Sequence, residues 1–185
     1  MAEADVQVRP VTSLYVELLW APEPGGAPVD LDLHLAHANA ANTDLDGDGN
    51  PDPWFDPRWD CYSLNPTPDW TGGGVDDPSL GADALEGLQP EGIAFNAPED
   101  GTRYAIGVHR ELPWGCCSGE APVDAIVRVY VHRALVFETT AALNVMDLWW
   151  VATVDWPGGQ VSLKTAHNSG FWITKNYCQP NVCQP

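Results

Sequence analysis

From Leu14 to Trp20 the side chains alternate with a period of two. Leu14, Val16, Leu18 and Trp20 fall on one side, and Tyr15, Glu17 and Leu19 on the other, as in a half-buried strand. Residues 6–21 therefore open with a strand pair, which Pro22, Pro24, Gly25, Gly26 and Pro28 terminate. Residues 30–35 alternate without a fault: Leu31, Leu33 and Leu35 face a core, and Asp30, Asp32 and His34 share the opposite face. Between residues 39 and 90 only 61–64 reads as a short strand. The β pattern then resumes at 92–97, 102–109, 123–131, 135–140, 148–156 and 161–165, with Pro98-Glu99-Asp100-Gly101, His132-Arg133 and Pro157-Gly158-Gly159 as turns. No stretch holds a helical period over three turns. Eight to ten short strands predict an all-β antiparallel sandwich of jelly-roll or immunoglobulin-like type, with long acidic loops at one end. The domain spans residues 6–166, and 167–185, poor in aliphatics and with a repeated Cys-Gln-Pro, reads as an appended tail.

Charge changes this picture more than composition does. The chain of 185 residues carries 26 acidic and 8 basic residues, a net charge of −18. Residues 30–100 hold 16 of the acids and one base, Arg58, and so −15 of that charge. Nucleic acid is excluded as a partner, because phosphate binding needs a basic surface. Self-repulsion this concentrated destabilises a compact state unless cations neutralise it. No apolar run reaches membrane-span length, so membrane insertion is not expected. The first residues, Met1-Ala2-Glu3-Ala4-Asp5, lack the basic start and apolar core of a signal peptide. The chain is then either cytosolic or a domain cut from a longer secreted chain, and the cysteines favour the second: Cys178 and Cys183 lie in a small loop suited to a local disulfide. Cys61 and the adjacent Cys116 and Cys117 leave the pairing open.

The acids fall into patterned groups. Asp44-Leu45-Asp46-Gly47-Asp48-Gly49-Asn50-Pro51-Asp52 places carboxylates at positions 1, 3, 5 and 9 of a loop, with glycine at 4 and 6. This is the spacing of an EF-hand-type calcium loop, in which short acidic side chains supply a hard cation with roughly six to eight oxygens. Asn50 is placed to offer a carbonyl at position 7. Position 12, a bidentate Glu in an EF-hand, is Phe55 here, and Pro51 and Pro53 prevent a helix from leaving the loop. The competing reading is a solvated acidic turn, since Asp, Gly, Asn and Pro also dominate turns. Asp30 and Asp32, a row of like charges on one strand face, are expected to share a metal ion with Asp76, Asp77 or Asp83 of a second acidic loop that runs to Glu91. His34 is expected beside that ion and not on it, because imidazole suits softer metals. Trp54, Phe55, Trp59 and Trp70 stand among prolines and acids. A loop this long needs apolar burial to stay ordered, so a private mini-core is the first expectation. The alternative makes Trp54, Trp59, Trp70 and Trp114 stacking platforms for a carbohydrate.

Several motifs then recur in a recognisable order: Asp30-Leu-Asp-Leu-His34, Cys61-Tyr-Ser-Leu-Asn-Pro66, Asp76-Asp77-Pro78-Ser79-Leu80, Pro90-Glu91-Gly-Ile93, Tyr104-Ala-Ile-Gly-Val-His109, Val127-Arg-Val-Tyr130, Leu135-Val-Phe-Glu138 and Leu148-Trp-Trp-Val-Ala-Thr-Val-Asp-Trp156-Pro157. Together they resemble the YfaP-like family of bacterial domains of unknown function, in particular the subgroup at the C-terminal end of large, repeat-bearing cell-surface proteins. The resemblance covers roughly residues 8–163. It implies a β-sandwich of the bacterial envelope or exterior, with acidic loops that hold metal and no established activity. The family's second acidic loop has the pattern D-x-D-D-x-D-G-x-G-P-E. Here only Asp83, Glu86, Gly87, Pro90 and Glu91 match it, so the ligand set Asp83, Glu86 and Glu91 is thinner than the family implies. The Asp44–Asp52 loop, by contrast, is fuller.

Enzyme motifs are absent: there is no G-x-S-x-G, H-E-x-x-H, P-loop or dinucleotide fingerprint. His34 and His37, three apart on a strand, point to opposite faces and cannot pair on zinc. The expected function is a non-catalytic, calcium-stabilised extracellular module with a structural or adhesive role on a bacterial cell surface, its partner a surface glycan or protein. The alternative is a calcium-dependent carbohydrate-binding module.

Overall fold

The computed structural model describes residues 11–21, 29–73, 76–85, 87, 89–112, 121–166 and 170–177. The sequence expectations for residues 6–10, Glu86, Trp114, Cys116, Cys117, Cys178 and Cys183 lie outside these. Eleven strands are described: β1 (Leu14–Trp20), β2 (Leu31–His37), β3 (Asp60–Cys61), β4 (Ser79–Leu80), β5 (Glu91–Phe95), β6 (Arg103–Arg110), β7 (Val123–Val131), β8 (Ala134–Leu143), β9 (Leu148–Asp155), β10 (Gln160–Leu163) and β11 (Trp172–Thr174). They form two antiparallel sheets packed face to face. One has the order β4-β5-β1-β7-β8; the other has the order β10-β9-β6-β2-β3, with β11 also on β9. The fold is the all-β antiparallel sandwich that the alternation predicts. No helix among the described residues is long and apolar enough to cross a membrane.

Between the sheets lies the main core. Leu14, Val16 and Leu18 of β1 and Leu31, Leu33 and Leu35 of β2 are fully buried there with Ile106, Val108, Val127, Val129, Trp149, Val151 and Val154. The predicted parity of β1 and β2 thus selects their inward faces.

The other face of β2 departs from a polar strand face: every residue of the strand is buried. The long loop after β2 folds back over the outside of the second sheet and builds a second core from Trp54, Phe55 and Tyr62, against Ala36, Ala105 and Leu148. His34 sits in it, with Nδ1 2.7 Å from Asp60 Oδ2, stacked on Tyr62 and edge-on to Phe55 and Trp54. Gly107 is part of this design, since a Cβ there would lie 2.7 Å from the Trp54 ring. At Ile106/Gly107 the β6–β9 register also shifts, and a bulge is where a strand accommodates such an approach.

Two sequence expectations need correction, and one open question is answered. The stretch at 61–64 is not a strand: only Asp60–Cys61 pairs with β2, and the chain turns back through a Tyr62–Asn65 bridge that the Asn65 Nδ2–Asp60 O hydrogen bond of 2.7 Å closes. The appended tail is not separate from residue 167 onward. β11 pairs with β9, and Tyr177, 1% exposed, completes the second core. Aromatic residues dock this segment where aliphatics are missing. Cys61 is a buried free thiol, and burial pushes its ionisation far above the ordinary range.

Candidate metal centres

The Asp44–Asp52 loop is closed by its own acidic side chains. Asp44 accepts Gly47 N–H on Oδ1 (2.7 Å) and Gly49 N–H on Oδ2 (2.9 Å). Asp46 Oδ1 accepts Asp48 N–H (3.0 Å), and Asp48 Oδ1 accepts both N–H and Nδ2–H of Asn50 (2.7 and 3.0 Å). Gly47 and Gly49 have φ of 77° and 90°, left-handed values that glycine adopts without a steric cost. The result brings carboxylate oxygens of Asp44, Asp46 and Asp48 within 4.8 Å of one another at the surface. One ion with ~2.4 Å bonds spans such a group. The oxygens of Asp44 and Asp46 that accept one N–H each keep a further acceptor site, and Asp48, whose Oδ1 accepts two, has its second oxygen for an ion, so these hydrogen bonds shape the loop without consuming its ligands.

Asp52 does not join that group. It is buried, and its Oδ2 accepts Leu45 N–H at 2.7 Å and the Tyr177 hydroxyl at 3.0 Å. The expected ninth-position ligand is instead the pin that fastens the loop to the second core. Asn50 faces Asp48 through its amide, as above.

The second acidic loop divides in two. Asp77 Oδ1 accepts the N–H groups of Trp70 and Thr71 at 3.0 and 3.1 Å, and Asp69 Oδ1 accepts Gly72 and Gly73 at 2.6 and 2.7 Å. Those acids hold a turn, and Asp76 is exposed. Neither Asp76 nor Asp77 is among the charges that act on Asp30 and Asp32. Asp83 does act on Asp30. Glu91 reaches from β5 to the edge of β2, where Oε2 accepts Leu33 N–H and Oε1 accepts Ala84 N–H, both at 3.0 Å. It therefore staples the two sheets and the loop together. Burial drives Glu91 up to about 8 against these two donors, with Asp83 and Asp30 adding repulsion.

Asp30 and Asp32 meet partners that spacing did not reveal. Asp32 pairs with His109 across β2 and β6, and Glu111 follows His109 on the same parity, its N–H on Asp30 O at 3.2 Å. Ligand atoms of Asp32, His109 and Glu111 lie within 4.8 Å of one another. Burial, then the charge of Glu111, raises Asp30 to about 6 and Asp32 well above the usual carboxylate range. His109 donates through Nε2 to Tyr177 O at 3.1 Å, and burial lowers it to about 4, so at neutral pH its Nδ1 carries a lone pair. Alternation assigns His109 and Glu111 to one face, but only the register between β2 and β6 sets them against Asp32.

The tryptophans of the loop are committed to packing. Trp54 and Trp70 are 1% and 5% exposed. Trp59 stacks on His37, and the Arg58 guanidinium lies 4.7 Å from its ring centroid. Trp54 thus lies in the second core, whereas Trp70 belongs to the main core and Trp59, partly buried, packs against it.

The chain is similar in fold to a protein of unknown function, SAV2460, whose crystal structure aligns at a TM-score of 0.53 and 16% identity over 93% of this chain and 94% of that one. Likeness at that identity concerns the fold alone. No family model and no curated protein matches the chain.

Proposed function

We propose that this chain is a non-catalytic, calcium-stabilised β-sandwich module with a structural or adhesive role on the bacterial exterior. The observation that supports it most directly is the convergence of the Asp44, Asp46 and Asp48 carboxylates in a loop preshaped by its own backbone N–H groups. Three carboxylates this close repel one another, and a divalent cation turns that repulsion into attraction. The resemblance to YfaP-like surface domains points the same way and supplies the location. Burial of Trp54 and Trp70 favours this reading over a carbohydrate-binding module.

Calcium binds the folded loop and hardly the unfolded chain. It therefore stabilises by mass action, about 2.7 kcal/mol when free ion is 100-fold above the dissociation constant, or roughly 5–10 °C in Tm for a domain of this size. Magnesium should do much less, because it sheds water reluctantly and demands tighter geometry. The test is a melt in calcium, in magnesium and in chelator at matched ionic strength, with calorimetric titration beside it. The Asp46→Ala/Asp48→Ala double variant should lose both the binding heat and the calcium shift. Equal shifts from the two ions would reduce the effect to charge screening and refute the site.

A further inference from the structure

We propose that Asp32, His109 and Glu111 form a second metal site, separate from the calcium loop, that takes a divalent first-row transition metal of the zinc class. Three observations carry this. The first is the geometry: the three ligand atoms lie within 4.8 Å of one another, with Asp32 and His109 directly paired on neighbouring strands of a sheet. Rigid elements hold ligands more precisely than loops do.

The second observation is independent of clustering. Asp32 is 2% exposed and its Oδ2 has no hydrogen-bond partner; His109 is 3% exposed and its Nδ1 has none. Buried polar atoms are nearly always paired, and leaving one unpaired costs about 1–3 kcal/mol. Here a carboxylate oxygen and an imidazole nitrogen, both electron-pair donors, are left unpaired in one place. Asp30 adds a further unpartnered buried oxygen, Oδ1, on the same face of the β2 edge.

The third is the far side of the imidazole. Nε2 donates to the Tyr177 carbonyl, which is how a metal-binding histidine is commonly oriented, with its other ring nitrogen left as the ligand. That carbonyl arrives on the segment after β11, so the C-terminal residues orient the ligand. An imidazole among the donors distinguishes this site from the calcium loop: nitrogen suits zinc and its neighbours, whereas calcium takes oxygen. Glu111 is only partly buried and supplies the entry side. Bound metal would cross-link β2 and β6 to the residue that follows β6.

The test uses the full chain, stripped with chelator and saturated with calcium, titrated with zinc chloride by calorimetry and with cobalt(II) by visible absorption. A single zinc per chain is expected, and imidazole 15N spectra should show the His109 Nδ1 resonance shift while Nε2 stays protonated. Glu111→Gln, at a position that is not fully buried, should weaken zinc by at least the roughly 10–100-fold that loss of an outer-shell partner costs. Asp32→Asn should weaken it at least as much. The Asp46→Ala/Asp48→Ala variant should bind zinc as the unaltered chain does, so that failure at one site is distinguishable from failure at the other. Unchanged affinity in Glu111→Gln, a His109 resonance that does not move, or no zinc uptake would each overturn the proposal.

Discussion

Replacing Tyr177 by Ala is expected to lower the melting temperature by roughly 10 °C, although the residue lies in a segment that reads as a tail. Its ring is buried against Phe55 at 6.1 Å and His109 at 6.3 Å between centroids, and it closes the second core. Truncating an aromatic ring in such a place costs about 3–5 kcal/mol, and 1 kcal/mol moves Tm by roughly 2–4 °C at this size. Part of the loss is local. The hydroxyl donates to Asp52 Oδ2, so the acidic loop loses its pin and calcium affinity should fall too. Tyr177→Phe separates the two contributions: it keeps the ring and removes one charge-assisted hydrogen bond, a loss of about 1.5–3 kcal/mol. Melts of both variants with and without calcium check this. If Tyr177→Ala melts with the unaltered chain, residues after β11 are not docked, and the orientation of His109 by Tyr177 falls with them.

Metal-free protein is expected to lose stability as pH rises from about 4 to about 8, the reverse of common acid denaturation. The cause is a set of carboxyls whose ionisation the fold opposes. Chief among them are half-buried Asp30, raised from 3.8 to about 6, buried Glu91, raised from 4.5 to about 8, and Asp32, raised well above 3.8. They outweigh buried His109, which is lowered to about 4 and acts with the opposite sign. For each of these carboxyls the folded form holds its proton more tightly than the unfolded chain. Their contribution is therefore fully present below the unfolded values and is lost as pH passes through the folded ones. For Glu91 alone the change is on the order of several kcal/mol, or a Tm fall of roughly 10 °C. Asp32→Asn replaces one of these carboxyls by a neutral group of the same shape. It should raise the Tm of chelated protein at pH 8, leave it nearly unchanged at pH 4, and abolish stabilisation by zinc. Zinc added to the unaltered chain should restore stability most at high pH, where the ion takes the place of the protons. A chelated protein whose Tm is flat or rises between pH 5 and 8 would show that these carboxyls are not held in a desolvated cluster.

The balance of the two cores explains why the local pattern was informative in one place and misleading in another. Strict alternation in Leu14–Trp20 and Leu31–Leu35 is enough to assign strands and inward faces, because a period of two has only one way to bury Leu and Val on a sheet. The Asp44–Asn50 part of the first acidic loop is legible for a similar reason. Its interactions run over two to five residues, within reach of Asx-type hydrogen bonds and left-handed glycines. Asp52 marks the limit of that reasoning. Its position in the loop suggests a ligand, but a tyrosine 125 residues away claims its oxygen.

By itself, then, the sequence determined the strand-rich class, the inward parity of β1 and β2, the placement of negative charge and the shape of the first acidic loop. All of these are set by neighbours in the chain. Tertiary structure alone decided that His34 lies in a second core and not on a polar face, that Glu91 staples two sheets, that residues 172–177 belong to the domain, and that Asp32 stands against His109 and Glu111. Each of these depends on strand register or on a loop folding back over a sheet. A one-residue slip would turn His109 away from Asp32, and no periodicity within either strand records which residue lies opposite.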